Sequence, residues 1–149
     1  MARGDWTTFE EAALSVGSGL FDFTSHTLKL GLVNNSTVPT AADATPTWGD
    51  YSGNEVSTSG GYSASGIALS SVSYTEASGA ATLDDSGNIS LAQDASGFTD
   101  AYWGILYDSS TSSSNAIGFV DLGGPVSEQA GAISITWNAS GICTVTVSS

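Results

Sequence analysis

The segment Ala101-Tyr102-Trp103-Gly104-Ile105-Leu106-Tyr107-Asp108 and, beyond a Ser/Thr/Asn-rich loop, Ala116-Ile117-Gly118-Phe119-Val120-Asp121-Leu122 decide the fold. Each arm is rich in β-branched and aromatic residues and is bounded by polar turn formers, which predicts a β-hairpin. Side chains alternate across a strand. Trp103, Ile105 and Tyr107 therefore point one way and Tyr102 and Leu106 the other, while Ile117 and Phe119 oppose Val120 and Leu122. Neither face is polar. A strand apolar on both sides sits centrally under a second layer, so the expectation is an all-β, single-domain antiparallel β-sandwich, jelly-roll-like or Ig-like, of seven or eight strands.

A chain of 149 residues suits one domain. Its 18 glycines fit an all-β chain with many turns, and four Trp, five Tyr and five Phe argue against disorder. No apolar run approaches the roughly 20 residues of a membrane span. Met1-Ala2-Arg3-Gly4-Asp5 carries one positive charge with no apolar stretch behind it, which predicts no signal peptide. Fifteen Asp and Glu stand against Arg3 and Lys29, a net charge of −13, so direct nucleic-acid binding is not expected. The acids are spread singly, as on a solvated surface; a face complementary to a basic partner is the sharper alternative. Cys143 is the only cysteine, which excludes an internal disulfide and fits a buried structural thiol.

Outward from the hairpin, residues 1–19 read as an N-terminal arm with one short amphipathic helix, and 20–149 as the β-domain. Over Thr7–Val16, Thr7 and Thr8 each precede a Glu by three positions, the spacing of a capping box. Phe9, Ala12, Ala13 and Val16 form its apolar face, which needs a covering surface on its own chain or another subunit. Thr27–Val33 alternates as a half-buried strand, with a lone His26 at its start read as an ordinary polar residue. Residues 34–61 lack periodicity and hold Pro39, Pro46 and several glycines, which reads as a long loop. Trp48, Tyr51 and Tyr62 leave three readings open there: a plug for one end of the domain, a subunit contact, or a sugar-stacking platform.

Gly66–Tyr74 reads as one strand with a bulge near Ser70. Ala81-Thr82-Leu83 and Ile89-Ser90-Leu91 are expected to pair through Asp84–Asn88, a turn with solvent-facing acids that fails the calcium-loop pattern. Ala132–Trp137 and Ile142–Val147 are expected to pair through Asn138–Gly141. One His, one Cys and two basic residues, with no nucleophile elbow, phosphate loop or zinc motif, predict no enzyme, no metal and no cofactor.

Several stretches together resemble short virion proteins of tailed bacteriophages, in the head decoration or auxiliary class. They are Phe23-Thr24-Ser25-His26-Thr27-Leu28-Lys29-Leu30, Pro46-Thr47-Trp48-Gly49-Asp50-Tyr51, Asn54-Glu55-Val56, Gly61-Tyr62-Ser63-Ala64-Ser65-Gly66, Tyr107-Asp108, Ile117–Gly123 and Ile135–Ile142. Their order and spacing carry the likeness, over about residues 20–147. The resemblance implies a structural virion component without cofactor, whose partner on the capsid surface is the major capsid protein. A homo-oligomer is expected, a trimer before others, with Trp6, Phe9, Trp48, Tyr51, Val56 and Tyr62 as candidate protein-contact residues. A tail-tube or fibre subunit and a small carbohydrate-binding module are the alternatives.

Overall fold

The computed structural model describes residues 3–146. Met1 and Ala2 of the expected arm, and Val147 of the last expected strand, lie outside them. In chain order the elements are β1 (Trp6–Thr8), α1 (Glu10–Gly17), β2 (Leu28–Val33), α2 (Trp48–Ser52), β3 (Ile67–Ala68), β4 (Val72–Ala77), β5 (Ala80–Asp85), β6 (Ile89–Leu91), β7 (Ala101–Asp108), β8 (Ala116–Val126), β9 (Ile133–Ile135) and β10 (Cys143–Thr146). The described residues are thus mostly β, in antiparallel sheets of ten strands with two short helices, where seven or eight strands and one helix were expected.

The hairpin forms as read. β7 and β8 pair antiparallel, and β7 is the middle of a five-stranded sheet ordered β1-β8-β7-β2-β3. Its two faces carry separate apolar clusters. Leu28, Leu30, Leu32, Leu106 and Val120 belong to the larger; Val33, Ile105, Tyr107 and Phe119 belong to the smaller. One assignment changes. Leu106 pairs with Gly118 but Tyr107 with Ala116, so Ile117 is an extra residue in the ladder and joins the larger cluster, away from Phe119. β8 also runs past Leu122, leaving the ladder through Gly123, Gly124 and a cis Pro125 before Val126 pairs with Ala101.

β2 is buried on both faces, not one. A Cβ at Gly31 would overlap the indole of Trp48, so this glycine lets the α2 tryptophan lie flat on the strand. Trp48 stacks in turn on Tyr107, with ring centroids 5.0 Å apart and planes 5° from parallel. α2 interrupts the expected 34–61 loop. Thr47 and Asp50 close a capping box over its start, with Thr47 N–H donating to Asp50 Oδ2 at 2.8 Å.

The helix expected over Thr7–Val16 begins later, and no side chain caps it. Trp6, Thr7 and Thr8 instead pair with Val120, Phe119 and Gly118. These residues favour extended backbone, and the open edge of β8 offers them ladder hydrogen bonds worth more than one cap. α1 therefore follows a strand and is not the first element. It covers its own chain: Phe9 ahead of it and Ala12 and Ser15 within it are buried, whereas Ala13 faces solvent.

The remaining strands exchange the partners that local turns suggested. Gly66–Tyr74 is not one bulged strand, because β3 pairs with β2 while β4, three residues on, pairs with β5 in a separate sheet ordered β10-β5-β4. β4 and β5 form the real hairpin, through Ser78 and Gly79 at φ 54° and 82°. β5 does not pair with β6, nor β9 with β10; β6 pairs with β9 and β10 with β5. The turn expected at Asn138–Gly141 exists, whereas Asp84 and Asp85 of the other belong to β5 and residues 86–88 run on irregularly; each segment carries the chain between sheets. Asp85, expected in solvent, is buried and accepts the Ser71 N–H at 2.8 Å across that crossing.

Candidate functional site

Five of the six candidate contact residues are interior. Phe9, Trp48, Tyr51, Val56 and Tyr62 are each no more than 8% exposed. Trp48 and Tyr51 sit on α2, where the periodicity of the helix puts both on the face toward β2 and β7. The Tyr51 hydroxyl donates to Asp43 Oδ2 at 2.7 Å. Tyr62 donates to Glu55 Oε1 at 2.7 Å and accepts the Leu32 N–H at 2.9 Å, and Tyr107 donates to the Ser65 carbonyl. Burial, then the neighbouring carboxylates, push the Tyr51 and Tyr62 hydroxyls far above the usual tyrosine range, and Tyr107 is pushed up to about 12. These rings plug the domain. They form no coplanar exposed platform, which removes the surface a carbohydrate-binding reading requires, and their burial leaves them no face for another subunit.

His26 has the carboxylate partner that its sequence neighbourhood lacked. Its Nδ1 lies 2.6 Å from Asp108 Oδ2, and Asp108 is fully buried at the end of β7. Asp108 Oδ1 accepts the Ser110 N–H at 2.9 Å, and Thr111, itself buried, donates to the Asp108 carbonyl. The pair thus joins the turn before β2 to the β7–β8 loop. Beside it Asp22 accepts hydrogen bonds from Ser25 and Thr24 that hold its carboxyl well below the usual range. Among the described residues no three His, Cys, Asp or Glu side chains come together as a metal-ligand group.

The sixth candidate, Trp6, leads to the most distinctive feature. Strands β1 and β8 on one side and the β9–β10 segment on the other do not close on each other, leaving a cavity of about 190 Å³. Trp6, Leu122, Val126, Ile133, Ile135 and Trp137 line it, and all six are only half-buried. Trp6 and Trp137 meet edge to face, 5.9 Å apart at 86°. Arg3, which is exposed, and Asp121 add charge to the lining. Ile133, Ile135 and Trp137 come from the stretch expected to pair with Ile142–Val147, but β9 pairs with β6.

Two other groups stand out. Glu128 is fully buried; its Oε1 accepts the Gly61 N–H at 2.8 Å while Oε2 has no partner among the described residues. Cys143 is half-buried on β10, and burial pushes its thiol up to about 11, as befits a structural cysteine.

The outer end of the three-stranded sheet has little core behind it. Thr75, Glu76 and Ala77 of β4 and Thr144, Val145 and Thr146 of β10 are exposed, and both strands are edges of their sheet. Among the described residues no helix is long and apolar enough to cross a membrane. No protein family, curated protein or solved structure matches the chain.

Proposed function

We propose that the three sheets stack as a β-sandwich and that the chain is a non-enzymatic structural protein of a tailed-phage particle, a decoration protein bound to the outer face of the assembled head. The observation that carries the reading is the division of the molecule. The five-stranded sheet carries apolar core on both faces and is open beside Trp6, whereas the outer ends of β4 and β10, the edge strands of the other sheet, are exposed. A protein that works by being covered by others presents such edges, and many identical small contacts sum over a shell. The ordered motifs of the phage resemblance and the acidic surface support it. Binding only to the assembled lattice stabilises that lattice by mass action, with the major capsid protein as partner and trimers as the expected unit.

Open edges also favour a second reading, a tail-tube or fibre subunit in which β4 or β10 pairs between copies. Quantitative mass spectrometry of purified particles separates the two. One copy per one to a few capsid subunits is the expected result. A few to tens of copies per particle favours the tail, and absence from particles overturns both readings.

A further inference from the structure

We propose that the cavity between β1, β8 and the β9–β10 segment is a socket for one aromatic side chain of a partner protein. Protein interiors are packed with few voids larger than a water molecule, so an apolar gap of about 190 Å³ is unusual. An apolar cavity of roughly 150 Å³ admits benzene, which sets the scale: this one takes a ring and part of its linker. Leu122, Val126, Ile133 and Ile135 offer water no hydrogen bonds, so along these walls an apolar ring is the better occupant, and Trp137 Nε1, buried without a partner among the described residues, is a donor left open beside them. Leu32, Phe98, Ala101, Val120 and Ile142 form a buried floor, and the half-buried state of the other six apolar walls leaves surface that an inserted ring would remove from solvent, with Trp6 and Trp137 supplying ring faces and edges for it.

A free ring gains only the cavity contacts. A ring carried on a polypeptide adds rim contacts, which is how anchor residues dominate protein interfaces. Charge defines the flanks of that segment. Arg3 and Asp121 balance each other in the lining, while the whole chain carries −13. The complementary segment has basic residues beside its ring. The proposal deepens the reading of the chain as a surface-binding virion protein and rests on it for the origin of the partner; the socket itself rests on the cavity.

The test uses the full chain with isotope-labelled isoleucine methyls. Titration with 3-methylindole, the tryptophan side-chain analogue, is expected to shift the Ile133 and Ile135 methyls saturably, and Val126→Phe, which fills the cavity from within, to abolish the effect. Capped Lys-Trp-Lys is then expected to bind about ten-fold more tightly than capped Glu-Trp-Glu at low salt, with the gap narrowing as salt rises. Absence of saturable shifts in the unsubstituted protein overturns the socket, whatever the variant does. Equal or reversed peptide affinities overturn the basic partner. Ring binding by a protein missing from particles keeps the socket and overturns the virion assignment, whereas shell stoichiometry without ring binding does the reverse.

Discussion

Gly31→Ala tests the packing of α2 on the central sheet. A Cβ at this position would occupy the volume of the Trp48 ring, and that ring is already stacked on Tyr107. The ring has no direction in which to yield cheaply, since the Thr47–Asp50 capping box fixes the start of its helix. If Trp48 shifts within the core the overpacking costs about 1–3 kcal/mol; if it is expelled the loss approaches the ~3–5 kcal/mol of a large-to-small aromatic substitution. Alanine returns about 0.5–1 kcal/mol through its lower conformational entropy in the unfolded strand. The net expectation is a loss of about 2 kcal/mol, a fall in Tm of roughly 4–8 °C for a chain of this length. Urea unfolding followed by circular dichroism measures it, in the natural sequence and in a Trp48→Ala background. With the indole gone the clash goes too, so the same substitution there should be neutral or stabilising by up to ~1 kcal/mol. A loss below about 0.5 kcal/mol in the natural sequence, or the same loss in both backgrounds, would refute the packing argument.

Three further outcomes follow from the buried polar groups. Glu128→Gln keeps an acceptor for Gly61 N–H and fills the same volume, so it should be tolerated better than Glu128→Ala, which leaves that N–H unpaired and should cost about 1–3 kcal/mol; a larger loss for Gln than for Ala by urea unfolding contradicts this. Burial pushes the Asp43 carboxyl up, but hydrogen bonds from Thr40 and Tyr51 outweigh it and hold the group below its ordinary value. A depressed folded-state value stabilises above about pH 4 and is lost as pH falls through it, so the advantage of the natural chain over Asp43→Asn in urea midpoint should shrink from about pH 6 to pH 3; a constant difference sinks the assignment. Cys143, with its thiol pushed up to about 11, should react slowly with a thiol reagent at about pH 8 and quickly once urea unfolds the chain, and equal rates would place it at the surface.

The central hairpin was legible because its information is local: two arms apolar on both faces, with polar turn formers between them. Turn-forming residues stand at Asp84–Asn88 and at Asn138–Gly141, only the second of which forms a turn, and a connection of either kind names no partner. Two adjacent strands reverse equally well within one sheet or across to another, and here both pairs cross, so β5 finds β10 and β6 finds β9. The Ser78-Gly79 dipeptide, a turn signal that takes positive φ at both residues, was the readable sign of the true hairpin. β1 was less accessible. Trp6–Thr8 is extended because β8 has an edge to pair with, a condition set more than a hundred residues away.

The same separation explains the site. His26 and Asp108 are 82 residues apart, and the cavity draws its walls from the N-terminal strand, from β8 and from the β9–β10 segment. Aromatic content drew attention to Trp48, Tyr51 and Tyr62, yet aromatic residues serve cores and interfaces alike, and only topology separates the two uses. Gly31 is decisive: a strand that omits a side chain where a tryptophan arrives is built to bury that tryptophan. With apolar core on both faces of the central sheet, the edges of β4 and β10 and the unfilled gap beside Trp6 and Trp137 are the features that the proposed contacts use.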